Sequence, residues 1–254
     1  MLRFASLGSG SKGNAALIEA GPTRLLVDCG FSVSELDRRL ARLGRQASEL
    51  TAIVITHEHA DHIGGAARVS RRYRLPVFLT AGTHWAVSRS AFHRVECFSA
   101  HQPFVIGDVA LEPVPVPHDA REPCQFVFGD GQHRVGLLTD VGSITPHIEA
   151  VLSGCDALLL ECNYDAGMLA AGPYPASLKQ RVASRYGHLD NEQAAELLRR
   201  IDTSRLQHLV GMHLSENNNS PEVARAALGA ALGCDRGWVG LADQELGFDW
   251  RELR

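Results

Sequence analysis

Residues 55–62 read ITHEHADH, so three imidazoles and one aspartate carboxylate fall within the six residues from His57 to His62. His57 and His59 stand two apart where an apolar strand run ends. Asp61 and His62 follow as the pattern turns helical. Imidazole and carboxylate at this density suit zinc, manganese or iron. Four potential ligands from one short loop exceed what one tetrahedral ion takes when other ligands join it, which favours two metals. A fortuitous polar loop would set charge beside a core strand for no gain. The H-E-x-x-H pattern of zinc proteases does not apply, because Asp61 stands where its second histidine would be.

A two-metal site needs further ligands from distant strand ends, since ligands sit on loops leaving a rigid scaffold. His118 closes PVPVPH, Asp140 closes VGLLTD and His213 closes LVGMH, each a polar residue ending an apolar strand. His84, His93, His101, His133, His147 and His208 have no such setting and read as ordinary histidines. Asp119, beside His118, and the Asn217–Asn219 run, beside His213, are candidates to support the ligands.

These residues need strands to present them. Strand-like runs cover Arg3–Leu7, Ala15–Glu19, Arg24–Asp28, residues 51–57 and Pro76–Thr80. Helical spacing of Leu36, Leu40 and Leu43 predicts a helix over Val33–Leu43, with Ser32 or Ser34 as N-cap. A second helix is expected over Asp61–Arg74. Residues 110–118 are extended, and their alternating prolines suit an edge or a strand end. Residues 125–140 read as a hairpin turning at Gly129-Asp130-Gly131. Residues 156–163 and 206–213 are buried strands, and a last helix starts at Pro221 with Ser220 as N-cap. Two β-rich halves carrying helices predict an α/β fold, with sheets packed face to face and helices outside.

The chain has 254 residues, of which 45% are hydrophobic, and a net charge of −4. That suits one core and carries no global basic signature for nucleic acid. The runs Arg38, Arg39, Arg42, Arg45 and Arg68, Arg71, Arg72, Arg74 read as solvated helix faces. The six cysteines form no C-x-x-C pair and read as reduced, buried and structural. No signal-peptide pattern precedes the first strand and no apolar run approaches ~20 residues, so a cytoplasmic protein without a membrane partner is expected.

The motifs H-x-H-x-D-H, a distant histidine, a distant aspartate and a C-terminal histidine together resemble the metallo-β-lactamase fold. Within it the chain is similar to the YycJ/WalJ type, of the ribonuclease Z-like phosphodiesterase branch. FASLGSGSKGNAALIE, THEHADHIGG, HDAREP, LLECNYD, GPYPASLKQRV, GHLDN and HLSENNN carry the resemblance, which covers nearly the whole chain. It implies one αββα four-layer sandwich over residues 1–254 and two divalent ions, zinc or manganese. His57, His59 and His118 would bind one ion, Asp61, His62 and His213 the other, and Asp140 would bridge them. A hydroxide between the ions would be the nucleophile. His188, in GHLDN, would protonate or stabilise the departing oxygen and Glu161 would orient it. Asp190 stands where such chains usually carry serine, and a carboxylate there would raise the pKa of His188 or repel a phosphate.

The resemblance implies a nuclease, a 5′-to-3′ exonuclease with DNA ahead of RNA as substrate. A small-molecule hydrolase, acting on a cyclic phosphodiester or a thioester, is the alternative. A non-enzymatic regulatory protein comes last, because every ligand position is intact. Aromatics make up 6% of the chain, so no aromatic-rich groove for single strands is expected. Binding would rest on arginines, with Lys179, Arg181 and Arg185 nearest the site. Residues 8–14, GSGSKGN, fail the Walker test because Lys12 precedes Gly13. Alone they read as a hairpin turn. In the implied fold they lie at the rim of the site, where Ser9, Ser11, Lys12 and Asn14 would face substrate.

Overall fold

The computed structural model describes residues 1–87 and 90–254. The first three strand runs form an antiparallel meander, β1 (Leu2–Gly8), β2 (Ala15–Ala20) and β3 (Thr23–Val27). Then the chain switches to parallel crossovers, which require a helix between strands. Helix α1 (Val33–Arg42) leads to β4 (Ala52–Val54), α2 (Ala60–Ile63) and α3 (Ala66–Tyr73) lead to β5 (Pro76–Thr80), and α4 (Ala81–Ala86) leads to β6 (Arg94–Phe98). Ser32 caps α1, accepting from the Glu35 N–H.

The second half repeats the plan. Strands β7 (Phe104–Ile106), β8 (Val109–Pro115), β9 (Cys124–Gly129) and β10 (Arg134–Leu138) are antiparallel. Helix α5 (Pro146–Leu152) then crosses to β11 (Ala157–Glu161). Helices α6 (Ala166–Ala171), α7 (Ala176–Val182) and α8 (Asn191–Arg200) cross to β12 (His208–Met212), and α9 (Pro221–Leu232) crosses to β13 (Gly240–Leu241). The last strand, β14 (Phe248–Glu252), returns to pair with β1. Two seven-stranded sheets result, ordered β14-β1-β2-β3-β4-β5-β6 and β13-β12-β11-β10-β9-β8-β7.

The period of two along each strand separates three cores. Phe4, Ile18, Leu25 and Val27 meet Phe126, Phe128, Leu137, Leu159 and Val210 between the sheets. The opposite faces pack on helices: Leu17, Leu26 and Ile53 on Leu36, Leu40 and Val69, and Leu138, Leu158 and Leu160 on Ile148, Leu197 and Leu228. These are the four layers of an αββα sandwich.

Several local expectations need correction. The helix expected over Asp61–Arg74 is two helices broken at Gly64 and Gly65. Gly65 packs so closely on the preceding turn that a Cβ would lie 1.7 Å from the Phe31 carbonyl oxygen. The proline-bearing strand β8 lies inside the sheet, and of the two placements expected for its prolines the strand end is the one observed, with Pro115 its last residue. Its neighbour β7 pairs only with Val109, Ala110 and Leu111, so Pro113 and Pro115 need no partner on that side. The hairpin turn runs over residues 130–133, with the Asp130 carboxylate accepting from the Gln132 and His133 N–H groups. Cys97 is exposed and Cys234 half-buried, while the other four cysteines are buried.

The first arginine run is only partly a solvated face: Arg38 and Arg42 are exposed, but Arg39 and Arg45 are not. Arg39 is buried, donates to the Leu7, Gln244 and Glu245 carbonyls and pairs with Glu35. Arg42 donates to the Ser6 carbonyl, and Arg45 pairs with buried Glu19. The run laces α1 to the edge of the first sheet.

Candidate metal centre

Every parallel strand that ends near the middle of the two sheets contributes a polar side chain beyond its carboxyl end. Crevices at such ends are where open α/β sheets bind ligands. Asp28 follows β3, Thr56 and His57 follow β4, Asp140 follows β10, Glu161 closes β11 and His213 follows β12. Three of these residues have left-handed backbones, Asp28 at φ 60°, Asp140 at φ 51° and His213 at φ 52°. A non-glycine residue there is costly and persists where the surroundings over-determine it.

His57, His59 and His118 offer nitrogen atoms within 4.8 Å of one another. His57 Nε2 is buried without a hydrogen-bond partner. Burial, then the charge of His62, holds the His57 imidazole well below its usual pKa, and burial also lowers His118. Neutral, buried, inward-facing imidazoles fit a divalent cation, because a ligand nitrogen must be deprotonated. The His118 Nδ1–H donates to the Gly187 carbonyl at 3.0 Å, leaving Nε2 for an ion.

Asp140 sits between the two ligand sets. Its Oδ2 lies 2.9 Å from His62 Nε2 and 2.9 Å from His213 Nδ1. Burial would raise this carboxyl, but His213 and His62 hold it well below its ordinary value. Asp61 Oδ2 lies 3.3 Å from His62 Nε2 and 3.8 Å from His213 Nε2. Burial opposes a charge on His62, yet Asp140 and Asp28 together hold it well above the usual histidine value. A cation at Nε2 would displace that proton. All seven residues singled out as ligands therefore meet in one place, and the two sets touch where the His57 and His62 rings lie 4.2 Å apart.

Beside them, His188 Nδ1 lies 2.7 Å from Glu161 Oε1 and 3.4 Å from Asp140 Oδ1. Glu161 is fully buried, and its other oxygen accepts from the Val141 and Leu189 N–H groups. Burial opposes a charge on His188, but Glu161 carries its pKa up to about 9. Asp190 does not face His188. Its carboxylate caps α8, accepting from the Gln193 N–H at 2.7 Å, a task serine performs equally well.

The 8–14 turn is divided. Ser11 lines the cleft above the site. Ser9 and Asn14 are buried and turned to the ligands instead of outward. Ser9 Oγ accepts from the His213 N–H, and Asn14 Nδ2 lies 3.1 Å from Asp61 Oδ2. Lys12 points away to Glu216, its Nζ 2.7 Å from Oε1. The turn thus braces the ligands, with one residue open to a substrate.

The cleft has a volume of about 230 Å³, and Tyr174, Leu178, Arg181 and Val182 line it together with His59 and His188. Of the three basic residues expected near the site, Arg181 alone lines it, paired with Asp119 at 2.6 Å. Lys179 donates to the Ala170 carbonyl. Asp28 is the supporting residue the sequence reading missed. It accepts from His62 Nδ1 at 2.7 Å and from the Thr56 N–H and hydroxyl. LLVDCG shows the same polar closure of an apolar strand that marks Asp140, so the signal was present. Asn163, which donates to the His213 carbonyl, lies outside any such pattern.

Residues 23–213 match the family described as beta-lactamase superfamily domain. Exodeoxyribonuclease YycJ of Bacillus anthracis is 33% identical over 239 residues, covering 91% of this chain and 89% of that protein. Ribonuclease Z of Mycobacterium bovis is 40% identical over 255 residues, covering 91% and 85%. Among solved structures, the metallo-β-lactamase fold protein YhfI of Bacillus subtilis superposes with a TM-score of 0.77 at 19% identity, covering 99% of this chain and 100% of that one.

Proposed function

The chain belongs to the beta-lactamase superfamily, and on that premise we propose that it is a dinuclear-metal phosphodiesterase that degrades DNA from an end. The observation that carries this reading is the His188–Glu161 pair. It stands beside Asp140 and His213, with ligand atoms of all four within 4.8 Å of one another, and this reading uses it for proton transfer because the two sets of three already supply each ion.

In this reading His57, His59 and His118 would hold one ion, Asp61, His62 and His213 would hold the second, and Asp140 would be within reach of both. When bound, two divalent ions activate water and neutralise developing charge on a phosphoryl group. The chain supplies the rest. Glu161 takes His188 Nδ1, so Nε2 is the atom left to pass a proton to the departing sugar oxygen. Asp28, Asn14 and Asn163 keep the ligands in register, and Ser11 and Arg181 face the strand being cut. A thioester, whose thiolate departs without a proton, has no comparable need for a leaving-group acid. The exodeoxyribonuclease relative, similar over nearly the full length, supports DNA. The ribonuclease Z relative makes RNA the necessary comparison.

Metal analysis of the purified protein, followed by digestion of end-labelled DNA and RNA in the metal found, tests this. Release of nucleotides from one end of 5′-phosphorylated DNA is expected. Turnover of a small ester with both nucleic acids left intact would overturn the proposal.

A further inference from the structure

Two exposed aromatic side chains flank the segment that follows His118, and each carries an arginine on its ring. Trp85, in α4, is 64% exposed, and the Arg121 guanidinium lies 4.0 Å from its ring centroid. Tyr186 is 47% exposed, with the Arg185 guanidinium 5.1 Å from its ring. Among the described residues neither guanidinium is paired with a carboxylate. Of the three exposed aromatics among the described residues, Trp85, Tyr186 and Trp238, the first two are each tied through a neighbouring residue to the loops that carry the metal centre.

Both pairs are anchored to the rim. The Tyr186 carbonyl accepts from the Asp119 N–H at 3.0 Å. The Arg121 N–H donates to Glu58, which stands between His57 and His59. The two anchor points are two residues apart, at most ~7 Å along the chain. Glu122, the other acid beside α4, is turned back onto the helix, where its carboxylate accepts from the Gly82 N–H. From Tyr186 the surface continues into the cleft through Gly187 and His188, where Tyr174 and Arg181 form the wall.

We propose that Trp85–Arg121 and Tyr186–Arg185 form a stacking track for single-stranded DNA, holding bases outside the cleft while the terminal phosphodiester lies over the metal centre. This rests on the nuclease reading and adds to it how the strand is gripped. Every base has a face that stacks on an aromatic ring, and the paired arginines supply charge for the backbone. Such a track binds single strands without sequence preference, and duplexes poorly, because paired bases cannot reach the rings. A chain poor in aromatics thus still concentrates two exposed ones where a single strand would leave the site.

The test is fluorescence anisotropy of a labelled, 5′-phosphorylated single strand with cleavage-resistant phosphorothioate linkages, added to the metal-loaded enzyme. Trp85→Ala and Tyr186→Ala should each weaken binding by about five- to hundredfold, the range for loss of one stacked base. Trp85→Phe should restore most of it, which a merely structural role for Trp85 would not predict. Equal affinity for wild type and both alanine variants, with folding intact by thermal melting, overturns the track. So does a wild-type protein that does not bind the strand. Parallel digestion of an ordinary strand by the wild type decides the nuclease reading separately.

Discussion

Replacing His188 by alanine separates chemistry from metal binding. The side chain lies outside both ligand sets and is 22% exposed, so water from the cleft can enter the space its removal leaves. Its ring touches Glu161 and approaches Asp140, at 2.7 and 3.4 Å. A positioned acid contributes typically ~10²- to 10⁴-fold, and His188→Ala should lower kcat on DNA by that amount, with metal content unchanged. Glu161→Gln keeps one acceptor oxygen, which can serve either His188 or the Val141 and Leu189 N–H groups but not both sides, and it removes the charge facing His188. It should cost less than His188→Ala. Because the two act as a unit, the double variant should be no slower than His188→Ala alone. The assay compares two substrates, a DNA strand and a diester with a p-nitrophenolate leaving group. That leaving group departs without a proton, so the His188→Ala loss should shrink sharply on it. An equal loss on both substrates, or metal loss from His188→Ala, would refute the acid role.

Two further perturbations follow from other parts of the molecule. Asn14→Ala removes the amide 3.1 Å from Asp61 Oδ2, and metal affinity should fall about 10- to 100-fold, read by competition with a chelator; an unchanged affinity would leave the 8–14 turn with no bracing role. Burial raises the Glu19 carboxyl, but Arg45 and Arg3 prevail and hold its folded pKa below the ordinary value of 4.5. A carboxyl depressed on folding adds stability above its unfolded pKa and loses it as pH falls through the folded one. Wild type should therefore lose stability below about pH 4.5 more steeply than Glu19→Gln, measured by denaturant unfolding across acid pH; parallel curves would contradict it.

The site was more legible in the sequence than its surroundings. Ligand positions stand out because a polar residue ending an apolar strand is conspicuous at any distance, and Asp140 and His213 show it as clearly as Asp28. What Asn14 and Ser9 touch cannot be read that way, because Asp61 reaches Asn14 only when two loops of the first sheet fold together, and His213 reaches Ser9 only when the two sheets close. The break at Gly65 depends on a backbone contact with Phe31, and the burial of Arg39 depends on carbonyls some 200 residues away in sequence. The exposed pair Trp85 and Tyr186 is invisible for the same reason, since only the fold brings α4 and the residues before His188 to one rim. Asp190, conspicuous as a departure from the expected serine, is a helix cap, which either residue type fills.

Digestion of 5′-end-labelled single-stranded DNA by the metal-loaded protein, set against the variant carrying both His59→Ala and Asp140→Ala, tests the central claim most directly. The account predicts stepwise release from one end by the wild type, abolished by a chelator and absent in the double variant. Cleavage that survives both substitutions would contradict it.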